Sequence, residues 1–141
     1  MNVNFYTPVV TAFDENGELD LQGNKNIYDH LIGGGIAGLL ILGSSGEFYA
    51  LNMEQKKTLI DMAVPYINKR AKVFFGTACD SMEETVELSN YAPGGSGRRD
   101  ADQPYYFTID DASIEAFYDE RQTRLTGLCT SIIFLPGPDM T

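Results

Sequence analysis

A chain of 141 residues with 43% hydrophobic content has room for one ordinary core and not for two large domains. Its formal net charge of −10 argues against nucleic acid or an anionic membrane as partner, since both select basic surfaces. No segment approaches the length of a membrane span, and Met1-Asn2-Val3-Asn4 lacks the basic and apolar blocks of a signal peptide, which makes the cytoplasm the expected compartment.

Val3 to Thr11 reads as a first strand, interrupted by Pro8 and followed by the loop Asp14-Glu15-Asn16-Gly17. Asp20 can cap a helix whose apolar positions Leu21, Tyr28, Leu31 and Ile32 keep helical spacing until Gly33-Gly34-Gly35 stops it. The run from Gly33 to Gly38 fits GxGxxG, but it follows a helix and precedes a strand, the reverse of what a dinucleotide fingerprint requires. There is no GxxxxGK[ST] either, and no cofactor is expected. His30, the single histidine, lies in this helix, so a Ser-His-Asp site would have to use it. Cys79 and Cys129 lack CxxC spacing, so neither a metal site nor a disulfide framework is expected.

Chemistry concentrates in Leu39 to Tyr49. An apolar run short enough for a buried strand leads into Gly43-Ser44-Ser45-Gly46 and then Glu47. Gly43 and Gly46 permit a backbone with exposed N–H groups, which suits a small anion such as a carboxylate or phosphate. The same tetrapeptide also fits a solvated loop, so the residues alone leave both readings open. Beyond it, Asn52 and Gln55 have capping-box spacing, and Leu59, Ile60, Ala63, Tyr66 and Ile67 give the next helix an apolar face, with Lys69 and Arg70 suited to its end. Val73-Phe74-Phe75 is a third strand ending at Gly76-Thr77, and Ser81 with Glu84 caps a helix carrying Val86, Leu88 and Ala92.

A strand, turn and helix unit thus recurs, with strand ends at Gly43 and Gly76 and again near Pro104. Repeated units of this length give a parallel sheet that stays open or closes as an eight-stranded barrel. Thr7-Pro8, the Gly43–Glu47 turn, Gly76-Thr77 and Pro104 to Phe107 all fall late in or just after a strand, where barrel enzymes build their sites. The expected fold class is α/β, the N-terminal part of an incomplete (β/α)8 barrel.

Three motifs in order resemble the dihydrodipicolinate synthase / N-acetylneuraminate lyase family of pyruvate-dependent class I aldolases. Thr7 to Phe13, with Asp14 to Leu19, looks like its opening strand and loop; Gly43-Ser44-Ser45-Gly46-Glu47-Phe48 looks like its two-hydroxyl turn; Pro104-Tyr105-Tyr106-Phe107 looks like its proline-tyrosine-tyrosine element. The resemblance implies a Schiff base between pyruvate, or another 2-keto acid, and a lysine on the sixth strand. It implies that Ser45, with the amides around Gly43 and Gly46, binds the carboxylate, and that Ser44 and Tyr106 join a proton relay, Tyr106 reaching across a subunit interface in the synthases. For Tyr105 and Tyr106 core packing with a wet phenol end is the alternative, and Glu47 can equally hold the loop or act on substrate. The complete protein is then expected to be a homo-oligomer acting on a small molecule.

Departures accompany the resemblance. Residues 93–103, where a fourth strand belongs, read Pro-Gly-Gly-Ser-Gly-Arg-Arg-Asp-Ala-Asp-Gln, the composition of a polar linker, and no interior strand is expected there. After Glu120 the helix is expected to decay, and the segment from Ser131 to Leu135 lacks the family's tyrosine-asparagine-x-proline ending. Lys25, Lys56 and Lys57 fall in helices and Lys69 and Lys72 flank the start of a strand, so none replaces the sixth-strand lysine, expected beyond Thr141. Regrouping the degenerate codons of Leu128 to Thr141 by one base permits Val-Tyr-Leu-Tyr-Asn-Phe-Pro, the missing signature. Regrouping 93–103 in the opposite sense permits a weaker match. The expected organisation is one partial barrel domain over residues 1–141, family-like over 1–92 and 104–120 and out of frame over 93–103 and 121–141. Two functional classes follow: a Schiff-base aldolase or lyase inactive as written, or a non-catalytic remnant. Within the first, Ser-Ser where the synthases usually carry Thr-Thr leans towards 2-keto-3-deoxy sugar acid aldolases over condensing synthases and N-acetylneuraminate lyases.

Overall fold

A computed structural model of the chain describes residues 5–92, 97–100 and 111–124. Among the described residues four strands alternate with four helices: β1 (Tyr6–Pro8), α1 (Leu21–Gly33), β2 (Gly38–Ile41), α2 (Met53–Ile67), β3 (Lys72–Gly76), α3 (Met82–Tyr91), β4 (Gly97–Asp100) and α4 (Asp111–Arg124). These strands pair in parallel, with Thr7 opposite Leu39, Leu39 opposite Val73, and Val73 opposite Gly97, and Phe13 and Leu19 form an isolated antiparallel bridge. Spatial order β1-β2-β3-β4 follows chain order. An open doubly wound sheet reverses its order at a switch point; a sequence of neighbours without reversal is how a barrel grows.

Helix starts coincide with the capping residues. Asp20 accepts from the Gly23 amide, Ser81 from the Glu84 amide, and Asn52 with Gln55 forms a reciprocal capping box. α2 ends at Asn68, in the left-handed region, which an asparagine tolerates better than most residues. The core lies between sheet and helices: Leu39 and Ile41 of β2, Val73 and Phe75 of β3, Tyr28 of α1, Leu59, Ile60, Ala63 and Ile67 of α2, and Leu88 and Ala92 at α3 are buried. Tyr66, counted above on the apolar face of α2, packs half-buried against this core, and its hydroxyl donates to Asp29 of α1, where Arg70 also binds. Asn24 is buried at the start of α1 and fully engaged: it donates to the carbonyls of Ala12 and Asp20 and accepts from the Ala12 amide.

Three expectations are corrected. The first strand is shorter than Val3–Thr11, ending at Pro8, after which the Val9 amide still donates to Leu40 O; residues 1–4 lie outside those described. Gly97–Asp100 is not linker but β4, paired along β3, because parallel pairing is made by the backbone and tolerates a polar sequence. The last helix does not decay at Glu120. α4 runs to Arg124, whose guanidinium reaches Glu120 one turn back at 3.1 Å and Glu83 of α3 at 3.6 Å. The fifth strand expected at Ser131–Leu135 lies outside the described residues.

Replacing the cap, Asn52→Ala, is expected to lower stability by about 1 kcal/mol in urea denaturation. The Tyr66 hydroxyl and then Arg70 hold the Asp29 carboxyl below its ordinary range. That contribution is present above the unfolded carboxylate pKa and lost as pH falls through the depressed folded value. Between about pH 7 and about pH 3 the parent should therefore lose more stability than Asp29→Asn; parallel pH profiles would remove the clamp from the account.

Candidate functional site

The C-terminal ends of β1, β2 and β3 converge on the Gly43–Glu47 turn. Ser44–Gly46 and Phe48–Ala50 form two short 3-10 turns joined at Glu47. The first closes through Gly46 N to Gly43 O at 2.9 Å and Glu47 N to Ser44 O at 3.1 Å, the second through Ala50 N to Glu47 O at 2.8 Å. The amides of Ser44 and Ser45 open the first turn, where no upstream carbonyl of the same turn is available to them. Both serines are exposed.

Two glycines are set by close approach. A Cβ at Gly46 would lie 2.8 Å from Val9 O and 3.3 Å from Thr11 Oγ1, and Thr11 donates to Gly46 O at 2.7 Å, so the exit of β1 forms the floor of the turn. A Cβ at Gly76 would lie 2.0 Å from Leu42 O, so the exit of β3 is pressed against that of β2. Leu42 and Glu47 bracket the turn at φ 60° and 52°. A left-handed leucine is unfavourable by about 1–2 kcal/mol, and this one is held by a buried side chain. Glu47 secures the loop through its backbone; its exposed carboxylate has no partner among the described residues.

Of the residues singled out from sequence, Gly43, Ser44, Ser45 and Gly46 come together in this one turn. Tyr106, with Tyr105, lies outside the described residues, so the relay pair is not brought together here. Thr77, placed above with the polar face, is wholly buried and accepts the Ser89 hydroxyl of α3 at 2.7 Å. A buried hydroxyl needs such a partner, and this one ties β3 to its helix. Two side chains had no assigned part. Thr11 is the turn's hydrogen-bonded floor. Lys56, 7% exposed, donates to Cys79 Sγ at 3.5 Å and lies 5.8 Å from the Phe48 ring centre. The sequence did carry a signal for Lys56, which shares helical spacing with Leu59, Ile60, Ala63 and Ile67. Burial pushes the Cys79 thiol up, and the neighbouring Lys56 opposes this.

A parallel sheet growing in chain order, with a donor-rich turn at the C-terminal ends of its strands, defines a segment of a (β/α)8 barrel with a site suited to a small anion. The sequence profile of the dihydrodipicolinate synthetase family matches residues 2–135, and the chain belongs to that family. YagE of Escherichia coli K12, named as a 2-dehydro-3-deoxy-D-gluconate aldolase, is 34% identical over 137 residues, covering 95% of this chain and 45% of its own. Its crystal structure in complex with pyruvate superposes with a TM-score of 0.82 at 30% identity, over 91% of this chain and 43% of that one. A 4-hydroxy-tetrahydrodipicolinate synthase of Oenococcus oeni is 33% identical over 119 residues, 83% of this chain and 41% of its own. The N-acetylneuraminate lyase of Mycoplasma synoviae superposes with a TM-score of 0.85 at 26% identity, over 94% of this chain and 47% of that one. The chain spans about half the length of the relatives it matches.

The close approaches make a direct prediction. Gly76→Ala places a methyl against a carbonyl that has no room to withdraw, so it is expected to destabilise the fold by several times the roughly 1 kcal/mol typical of point substitutions, as read by thermal denaturation. Gly33→Ala, which meets nothing within 4 Å, serves as the contrast and should be near neutral or stabilising.

Proposed function

We propose that the Gly43–Glu47 turn binds the carboxylate of pyruvate or another 2-keto acid, as the binding half of a Schiff-base aldolase or lyase. The observation that carries this reading is the turn's construction, with two exposed hydroxyls and two leading amides held between Gly43 and Gly46, the latter packed on the Val9 carbonyl. Small donors in that density suit a carboxylate without crowding it. In this reading Ser45 and the amides around Gly43 and Gly46 hold the carboxylate, while Ser44 passes a proton along a relay completed by Tyr106. Among the family's substrates, 2-keto-3-deoxy sugar acids are favoured by the Ser-Ser pair and by the 34% identity to a protein named for such an aldolase. A homo-oligomer is the proposed assembly of the complete enzyme.

Covalent catalysis by this route needs an amine that condenses with the ketone, losing water to give an iminium that acidifies the neighbouring methyl. The five lysines have other places: Lys25 is in α1, Lys56 and Lys57 are in α2, Lys69 precedes β3 and Lys72 opens it, at the end of the sheet opposite the turn. The 141-residue chain is therefore proposed to bind without turning over. Residues 93–103 and 121–141 are proposed to be out of frame, with the tyrosine and lysine strands encoded in the shifted frame.

Ser45→Ala is expected to weaken pyruvate binding by roughly 1.5–3 kcal/mol, the worth of a charge-assisted hydrogen bond, measured by calorimetric titration. In a frame-restored chain Ser44→Ala should lower turnover more than affinity; negligible effects of both would return the turn to a solvated loop. Borohydride with pyruvate should label no lysine of the 141-residue chain and one lysine of the frame-restored chain. A labelled lysine in the short chain, or a stop codon in the shifted frame within a few codons of Thr141, would refute the frame account.

A further inference from the structure

Lys56 is a buried cation in an unfavourable place. It is the fourth residue of α2, where its amide makes the helix's first bond to Asn52 O. The positive end of the helix dipole lies there, and burial adds a desolvation cost for an ammonium. No carboxylate pairs with it: its partners among the described residues are the Cys79 thiol at 3.5 Å and the Phe48 ring at 5.8 Å. Each partner is itself fixed. Phe48 is buried and begins the second 3-10 turn, one residue after Glu47. Cys79 is buried in the β3–α3 connection, where its amide and carbonyl both meet Thr85 Oγ1 of α3.

We infer that Lys56 is a positioning residue for the two-serine turn, a charged strut that pins Phe48 to the β3–α3 connection. The turn is then tethered on both sides of its left-handed residue, by Thr11 at Gly46 O before Glu47 and by Lys56 at the Phe48 ring after it. A desolvated cation over an aromatic face is directional enough to hold the ring in one place. An uncharged side chain of the same length would fill the volume and lose that hold. The inference deepens the carboxylate reading, since loss of one tether would let the turn present its donors in more than one arrangement.

The test is amide hydrogen exchange on the full 141-residue chain, followed residue by residue, for the parent, Lys56→Met, Lys56→Arg and Phe48→Leu. Lys56→Met is expected to speed exchange at Gly46, Glu47, Ala50 and Leu51 by about tenfold, leaving Leu40 and Ile41 of β2 unchanged. Lys56→Arg, which keeps charge and ring contact, should restore protection. Phe48→Leu should repeat the Met effect and decides the matter if the Met variant does not fold. Unchanged exchange in the turn, or an equal rise in turn and β2, would overturn the inference. Pyruvate titration of the same samples separates the two readings: a parent that binds no pyruvate removes the carboxylate role, while the exchange pattern still decides whether Lys56 holds the turn.

Discussion

The site rests on the absence of a side chain at Gly76. With the Leu42 carbonyl oxygen 2.0 Å from where a Cβ would sit, the exits of β2 and β3 can lie together only because that atom is missing. The contact falls where the chain leaving β2 turns, at the left-handed Leu42. Gly46 repeats the arrangement against Val9 O at the β1 exit. The turn is thus wedged between two neighbouring strand ends. Its shape is a property of the sheet's packing more than of its own four residues, which is why Gly-Ser-Ser-Gly read in isolation could not be told from a solvated loop.

What was legible in the sequence follows from the range of the interactions involved. Asp20, Asn52 with Gln55, and Ser81 each cap a helix through bonds three residues away, and each was found because cause and effect sit in one short window. The apolar spacing of α2 was legible for the same reason. β4 was not: Gly97–Asp100 has no apolar alternation, and its place is set by the edge that β3 offers. Lys56 failed differently. Its periodicity marked it as core-facing, but a lysine on an apolar face reads as a solvated residue until its partners are known, and Phe48 and Cys79 come from other segments. Tyr66 divides between the two ranges: its ring keeps the half-buried place that its spacing gives it, while its hydroxyl is bound by Asp29, a residue of another helix.

Charge decides how such a turn can work. The chain carries a formal charge of −10, and Glu47 stands exposed beside the two serines, so the long-range field does not favour an anion. That field is screened over about 8 Å at physiological ionic strength. A carboxylate seated in the turn would instead feel donors within hydrogen-bond distance, and fixed amides and hydroxyls act at that range without needing a net positive surface. Lys56 adds a positive charge behind the turn, but it is shielded from solvent and spent on the Phe48 ring and the Cys79 thiol. Carboxylate binding as proposed would therefore depend on geometry more than on attraction, and the two glycines, with the two proposed tethers, bear on that geometry.

The same division separates recognition from covalent chemistry along the chain. Recognition as proposed needs only backbone and hydroxyl donors, and the first three strand ends bring such donors together among the described residues. An iminium-forming lysine has the opposite requirement, because its amine must be free of the compensating contacts that a buried cation normally acquires. Lys56 shows why burial alone does not make such a nucleophile: its ammonium is engaged by a thiol and a ring in the packing behind the turn. In the proposed enzyme a reactive lysine would enter from a later strand whose side chains face the barrel interior, across from the two-serine turn. The turn can therefore be fully formed in a chain that, as proposed, does not close the catalytic cycle.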